Sequence, residues 1–530
     1  MTNIDYIVII IFSLLILSIG LSFSKTSGKD MRSFFSAGGA VPWWINGLSL
    51  FMGFISAGTF VVWGSIAYNS GWVAITIQWT MSAAGFLMGL LLAPKWHKTR
   101  ALTAAEYISN RLGVNVQKSY SYIYLVVMII LTGVHIYAVS RILEVITGIP
   151  LYLSITILGT IVMLYTSLGG LWAVVVTDTL QFVILSAAAL IVVPLSLNRV
   201  GGIQHMIASI PDKGFFNLSN GEYTWSFLIG FMLYNFFYLS GQWSFVQRYT
   251  SVKTPQESRK VGWLFGTLYI ISPIIWMLPP MAYHAINPHL SGLQNEGAYL
   301  LMCKEVLPSG MLGLMLISLV FATNSSVQGV LNISAGVITN DLYKNKFPQS
   351  SEKKLMVVAK LSTLLFGIIT IALALFVPIM GGAKEVVLSV AALTGCPIYL
   401  PIIWSLFSKR QSGFSVLITS LVSLAITLSF KFIIPLFSGF VLSRQGEITL
   451  GVGVPAFITL LFEIWLRIKD NTDEGFVKYK SIAAERILTE SKDTGIEASS
   501  ENNQGLRMIA IGITATGLII ITLGIMANNG

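Results

Sequence analysis

The chain has 530 residues, of which 54% are hydrophobic and only 11% charged, with a mean hydropathy of +0.75. So few charges cannot cover a water-soluble protein of this length, so most residues must meet lipid or each other. The net charge of +10 raises nucleic acid as a partner, but the basic residues are dispersed over loops and form no such footprint.

Hydropathy predicts fourteen spans, at about 5–24, 44–68, 72–94, 120–147, 150–166, 170–198, 224–246, 261–284, 310–339, 355–379, 385–407, 412–436, 447–468 and 507–527. The first, Tyr6 to Phe23, follows Asp5 instead of a basic region and reads as a span, not a cleavable leader. The second is interrupted by small and polar residues, Gly53, Ser56, Gly58 and Thr59. The seventh carries Asn235, Tyr238, Ser240, Gly241 and Gln242. Such clusters loosen a helix and free backbone carbonyls, which is tolerated only beside a cavity. The fourth holds His135, read as an interior imidazole, and Arg141 with Glu144 three residues on, positioned to pair. The sixth contains Asp178 inside the run Leu171–Leu185. A carboxylate at membrane depth persists where it faces a cavity, an ion or a partner, which points to a protein that handles a cation. The ninth contains Phe321-Ala322-Thr323-Asn324-Ser325-Ser326, where two hydroxyls and backbone carbonyls suit a weakly bound hard monovalent cation. Cys303 and Cys396 lie in different segments and form no metal or disulfide pattern.

The loops orient the chain. One alternating set holds 25 of the 33 basic residues and the opposite set six, which predicts basic loops in the cytoplasm and both termini outside. Interrupted helices opening two successive groups of five, in opposite orientations, imply inverted repeats with a site at the midplane, the plan of a secondary transporter. The expected organisation is a leading helix and cytoplasmic loop (1–43), repeat one (44–198), an extracytoplasmic connection (199–223), repeat two (224–407), and trailing helices (408–530) with a cytoplasmic linker (469–506) whose 476–488 part reads as amphipathic.

The run Leu164-Tyr165-Thr166-Ser167-Leu168-Gly169-Gly170-Leu171-Trp172-Ala173, followed by Thr177-Asp178 and Gln181, resembles the signature of the sodium:solute symporter family, which includes bacterial and animal sodium/glucose cotransporters. Pro42-Trp43-Trp44, Gln247-Arg248 and Asn340-Asp341-Leu342-Tyr343 add to it. The resemblance implies an all-α membrane protein with leucine-transporter-like inverted five-helix repeats and broken first and sixth core helices. It implies a sodium site made by the carbonyls of Met52 and Ile55 with Ala322, Ser325 and Ser326, and places Asp178 near an inward exit or second sodium. At about eight residues from the cytoplasmic end, Asp178 lies roughly 12 Å in. Substrate-facing positions correspond to Thr59, Gln78, Asn235, Tyr238 and Tyr269, with Phe54 and Gly58 where sugar carriers have longer polar side chains.

The expected function is sodium-coupled import of a small polar solute, sugar or sugar-acid-like, across a bacterial inner membrane. Sodium is the coupling ion, and no organic cofactor, nucleic acid or obligate protein partner is expected. A proton- or sodium-coupled carrier of an amino or carboxylic acid is the alternative. Five scattered histidines build no catalytic constellation, so an embedded enzyme is not expected.

Overall fold

Backbone groups in hydrocarbon find no water to bond, so apolar stretches cross as helices. The computed structural model describes residues 1–23, 41–101, 103–165, 171–344, 346–347, 349–469 and 472–493, and among these there are helices and no strand. The predicted span at about 507–527 and the signature residues 166–170 lie outside the described residues. Eight helical stretches are long and apolar enough to cross a membrane: Val73–Lys98, Val114–Thr147, Gln181–Arg199, Pro255–Ile286, Val357–Phe376, Gly382–Ser405, Gly413–Ser438 and Arg444–Ile468. Three shorter apolar helices accompany them, Asn3–Leu14, Leu151–Ile161 and Met311–Thr323.

In chain order the first half contains α1 (Asn3–Phe23), α2 (Trp43–Met52), a π-helical turn (Thr59–Trp63) running into α3 (Gly64–Ser70), α4 (Val73–Leu91), α5 (Ala93–Lys98), α6 (Ala104–Leu112), α7 (Val114–Thr147), α8 (Leu151–Tyr165), α9 (Leu171–Arg199) and α10 (Ile203–Ser209). The second half contains α11 (Trp225–Gly241), α12 (Trp243–Thr250), α13 (Pro255–Ile286), α14 (Ala298–Val306), α15 (Met311–Gly336), α16 (Glu352–Phe376), α17 (Gly382–Ser405), α18 (Gly413–Leu428), α19 (Ile434–Ser438), α20 (Arg444–Ile468) and α21 (Glu474–Asp493). Helix starts follow local chemistry. Thr103, Thr224 and Thr254 accept from the backbone N–H three residues on, and Ser412 with Ser415 forms a reciprocal capping box.

Two features position the helices that matter most. Asp5, 1% exposed, accepts the N–H groups of Gly310 (2.7 Å) and Gly313 (3.0 Å), tying α1 to the N-terminus of α15. A carboxylate there satisfies orphan donors and opposes the helix dipole. Helices α4 and α13 meet through Gly85-x-x-x-Gly89 and Gly262-x-x-x-Gly266, close enough that a Cβ on Gly262 would lie 2.6 Å from the Gly89 Cα. Small residues at this spacing let two backbones touch without a solvent-driven force. Ser82 donates to the Gly266 carbonyl across the same contact (2.7 Å).

At one end of the bundle, the segment Gly292–Gly297 is pinned between helices. The Glu296 carboxylate accepts from the Tyr137 hydroxyl on α7 (2.6 Å) and from the Ala383 N–H opening α17 (2.8 Å). Burial raises the Glu296 carboxyl above its ordinary range, offset by those hydrogen bonds. Arg141 pairs with Glu144, as its spacing predicts, and also donates to the Leu293 carbonyl (3.2 Å). Elsewhere in the fold, α21 packs on α6. Buried Arg111 donates to Asp473 (2.6 Å) and to the carbonyls of Gln411 (2.8 Å) and Ser408 (3.1 Å), and Arg486 pairs with Glu106 (2.5 Å). The helix is thus longer than the amphipathic 476–488 stretch legible from sequence, because Asp473 and Glu474 start it against α6.

Candidate functional site

The predicted second span is a helix that stops and restarts. Helix α2 ends at Met52, and the chain runs through Gly53–Gly58 before the π turn at Thr59. Polar groups freed there are stitched locally. The Thr59 hydroxyl accepts from the Ser56 N–H (3.1 Å) and donates to the Phe54 carbonyl (3.2 Å), and the Gly58 N–H bonds the Ser56 Oγ (3.1 Å). The Ala57 N–H instead leaves the segment and donates to the Thr323 hydroxyl on α15 (2.8 Å). That bond brings the interruption onto the helix turn bearing Ala322 and Ser326.

The seventh span likewise leaves helical geometry, at Gln242, whose extended backbone separates α11 from α12. Carbonyls at the end of α11 find new donors: Leu239 accepts from the Tyr249 hydroxyl (2.6 Å) and Ser240 from the Trp96 indole (2.7 Å). Arg248, from the Gln247-Arg248 pair, donates to the Ser49 hydroxyl (3.3 Å) on α2 and the Ser244 carbonyl (2.6 Å). The two interruptions are therefore neighbours, and stacked Phe54 and Phe245 (centroids 4.4 Å apart) fill the space between them.

Of the predicted cation ligands, Met52 and Ile55 are buried at the first interruption, and the Met52 carbonyl accepts the Ile55 N–H (3.0 Å). Ala322 is fully buried on α15. The Ser326 Oγ is buried with no hydrogen-bond partner among the described residues, which is unusual for a hydroxyl away from water and asks for a ligand or an ion. Ser325 lies on the helical backbone of α15 and Asp178 on that of α9; the side chains of both fall outside the described residues. Helix α9 packs against both α2 and α15.

The predicted solute-facing residues are brought together in part. Asn235 on α11 donates to the Thr80 hydroxyl on α4 (2.9 Å), which in turn donates to the Ile77 carbonyl (2.6 Å), and Gln78 is buried on the same helix. Tyr238 sits among Phe54, Tyr234, Phe245 and Tyr399, with centroids 5.5–5.9 Å away. Tyr269 packs against Phe51 (5.3 Å) and Phe265 (4.8 Å). The Thr59 hydroxyl also serves the backbone of its own segment. Sequence reasoning missed Thr80, Phe245, Tyr399 and Thr323 as neighbours of these groups. Only Thr323 carried a signal, its place beside the hydroxyl run.

The sequence profile of the Sodium:solute symporter family matches residues 34–422. Sodium/glucose cotransporter 1 of Mus musculus is 26% identical over 460 residues, covering 77% of this chain and 68% of that protein. The sodium/sialic acid symporter SiaT of Proteus mirabilis is 27% identical over 447 residues, covering 81% and 90%. Sodium/myo-inositol cotransporter 2 of Sus scrofa is 26% identical over 481 residues, covering 81% and 70%. Among solved structures, a substrate-bound outward-open Na+-coupled sialic acid symporter superposes with a TM-score of 0.74 at 24% identity, over 87% of this chain and 98% of that one. A nucleobase-cation-symport-1 family transporter superposes at 0.53 and 13% identity, over 84% and 98%, so the likeness of fold reaches beyond sequence similarity. With its profile matched across most of its length, the chain belongs to the sodium:solute symporter family.

Proposed function

We propose that this protein is a secondary-active, sodium-coupled symporter that imports a small polar organic solute, sugar or sugar-acid-like, by alternating access across a bacterial inner membrane. The observation that carries the reading is the junction of the Gly53–Gly58 interruption with α15, where the orphaned Ser326 Oγ is buried one turn from the Thr323 contact. Carbonyls of Met52 and Ile55 with the hydroxyls of Ser325 and Ser326 form a neutral oxygen set, which holds a monovalent cation weakly enough to release it on each cycle. Asp178 serves the inward exit or a second sodium. Residues 44–198 and 224–407 are the inverted five-helix repeats, the interrupted helices opening each, within a fourteen-span chain whose termini are outside. Each positive charge moved inward gains about 2.3 kcal/mol per 100 mV, which the protein couples to solute accumulation.

Asn235, Gln78 and Thr80 supply donors and acceptors to a hydroxylated solute, while Tyr238 and Tyr269 supply apolar ring faces. Relatives that carry glucose, inositol and sialic acid by name support the solute class. Uptake by proteoliposomes under an inward sodium gradient, against a panel of sugars, uronates, sialic acid and amino acids, tests the reading. Replacement of sodium by choline at fixed pH abolishes uptake if sodium is the coupling ion; uptake that follows a proton gradient instead refutes it. Ser325→Ala with Ser326→Ala removes sodium stimulation while the protein still reaches the membrane. Unchanged sodium dependence in that variant overturns the site.

A further inference from the structure

We propose that Thr323 is a positioning residue for the sodium site, holding the interrupted helix against α15 before the ion arrives. The inference rests on the sodium-symport reading above. Its basis is a hydroxyl with both functions committed: Thr323 Oγ1 donates to the Leu319 carbonyl one turn back (2.8 Å) and accepts from the Ala57 N–H (2.8 Å). The first bond orients the hydroxyl so that a lone pair faces the interruption; the second spans 266 residues of sequence. Thr323 is 1% exposed and Ala57 fully buried, so neither group exchanges its partner for water.

The neighbouring N–H groups of the interruption do not link it to α15, since Ser56 and Gly58 bond the side chains of Thr59 and Ser56. Thr323 follows Ala322 directly and precedes Ser326 by three residues, one helical turn, so the two lie on adjoining faces. The bond therefore sets the spacing between the carbonyl half of the site, Met52 and Ile55, and the small-residue and hydroxyl half, Ala322, Ser325 and Ser326. A site held at its working spacing spends none of the ion's binding free energy on assembling itself. Valine at 323 keeps the shape but removes the acceptor and strands a buried N–H. Serine keeps the acceptor.

The test compares wild type with Thr323→Val, Thr323→Ser and Thr370→Val in proteoliposomes, varying sodium at saturating solute and solute at saturating sodium. Thr370 makes the same one-turn bond, to Phe366 (2.7 Å), on α16, a helix that carries none of the site residues. The expected result for Thr323→Val is a rise of about ten-fold in the sodium concentration giving half-maximal uptake, the scale of one stranded buried N–H. Solute KM and maximal uptake at saturating sodium stay within about two-fold of wild type, and Thr323→Ser and Thr370→Val keep wild-type sodium dependence. An unchanged half-maximal sodium concentration in Thr323→Val, or an equal change in Thr370→Val, overturns the proposal while wild-type sodium stimulation leaves the symport reading intact. Wild-type uptake indifferent to sodium overturns both. Should Thr323→Val not reach the membrane, Thr323→Ala is compared with wild type in detergent by the sodium concentration that half-maximally protects against thermal unfolding. Equal values there overturn the proposal as well.

Discussion

The α4–α13 contact predicts a sharp asymmetry between two glycines that look equivalent in sequence. A Cβ on Gly262 would lie 2.6 Å from the Gly89 Cα, 2.8 Å from the Gly89 nitrogen and 3.0 Å from the Gly85 carbonyl oxygen, all of them backbone atoms. Carbon contacts are comfortable at about 3.5–4.0 Å, so Gly262→Ala forces the two helices apart by about 1 Å. Gly453, on α20, has nothing within 4 Å of its Cβ position and an ordinary backbone. Both substitutions gain the same helix propensity, about 1 kcal/mol, so the difference between them isolates the packing penalty, about 1–3 kcal/mol for overpacking. The assay is unfolding of the purified protein by titration into a denaturing detergent, with Gly262→Ala and Gly453→Ala measured side by side. Gly262→Ala is expected to unfold earlier and Gly453→Ala at or beyond the wild-type midpoint. Equal midpoints for the two variants would refute the backbone-contact argument.

Asp473→Ala leaves the Arg111 guanidinium buried with the Ser408 and Gln411 carbonyls and the Phe476 ring face but no carboxylate among the described residues; breaking such a pair costs about 3–5 kcal/mol at a buried site, less here because Asp473 is 19% exposed. Protease cleavage within 474–493 should accelerate in that variant and stay slow in wild type. The raised Glu296 carboxyl sets a sign for pH. Its folded value exceeds the unfolded one, so its contribution is complete below the ordinary carboxylate range and is lost as pH rises through the raised folded value. Relative to Glu296→Gln, wild type should therefore lose thermal stability on going from acid toward neutral pH; a constant difference across that range would remove Glu296 as the source. Thr80→Val withdraws the hydroxyl that Asn235 bonds, and is expected to raise solute KM while leaving half-maximal sodium within about two-fold.

Much of the architecture is legible because hydropathy and loop charge are summed over twenty residues at a time, and single errors average out. The interruption at Gly53–Gly58 announces itself by composition, and so does the Arg141–Glu144 pair by its spacing. What sequence hides is contact between distant segments. Nothing near Ala57 says that its N–H finds Thr323, and nothing near Ser240 says that its carbonyl meets the Trp96 indole. Thr59 adds a local contact that sequence also hides: its hydroxyl bonds its own backbone, because a helix that stops must satisfy its loose ends nearby. The π turn at Thr59–Trp63 has no sequence mark at all.

The Arg111 hub has a consequence for how the protein is made. Its carboxylate partner, Asp473, stands 362 residues further along the chain, and its two carbonyl partners come from residues 408 and 411. At a synthesis rate of about 5–20 residues per second, the guanidinium waits on the order of 20–70 seconds after leaving the ribosome for that counter-charge. Until then Arg111 lacks its carboxylate partner. Closure around Arg111 is therefore among the late events of biogenesis, and a ribosome stalled between residues 411 and 473 would display a nascent protein whose Arg111 seam still lacks its carboxylate.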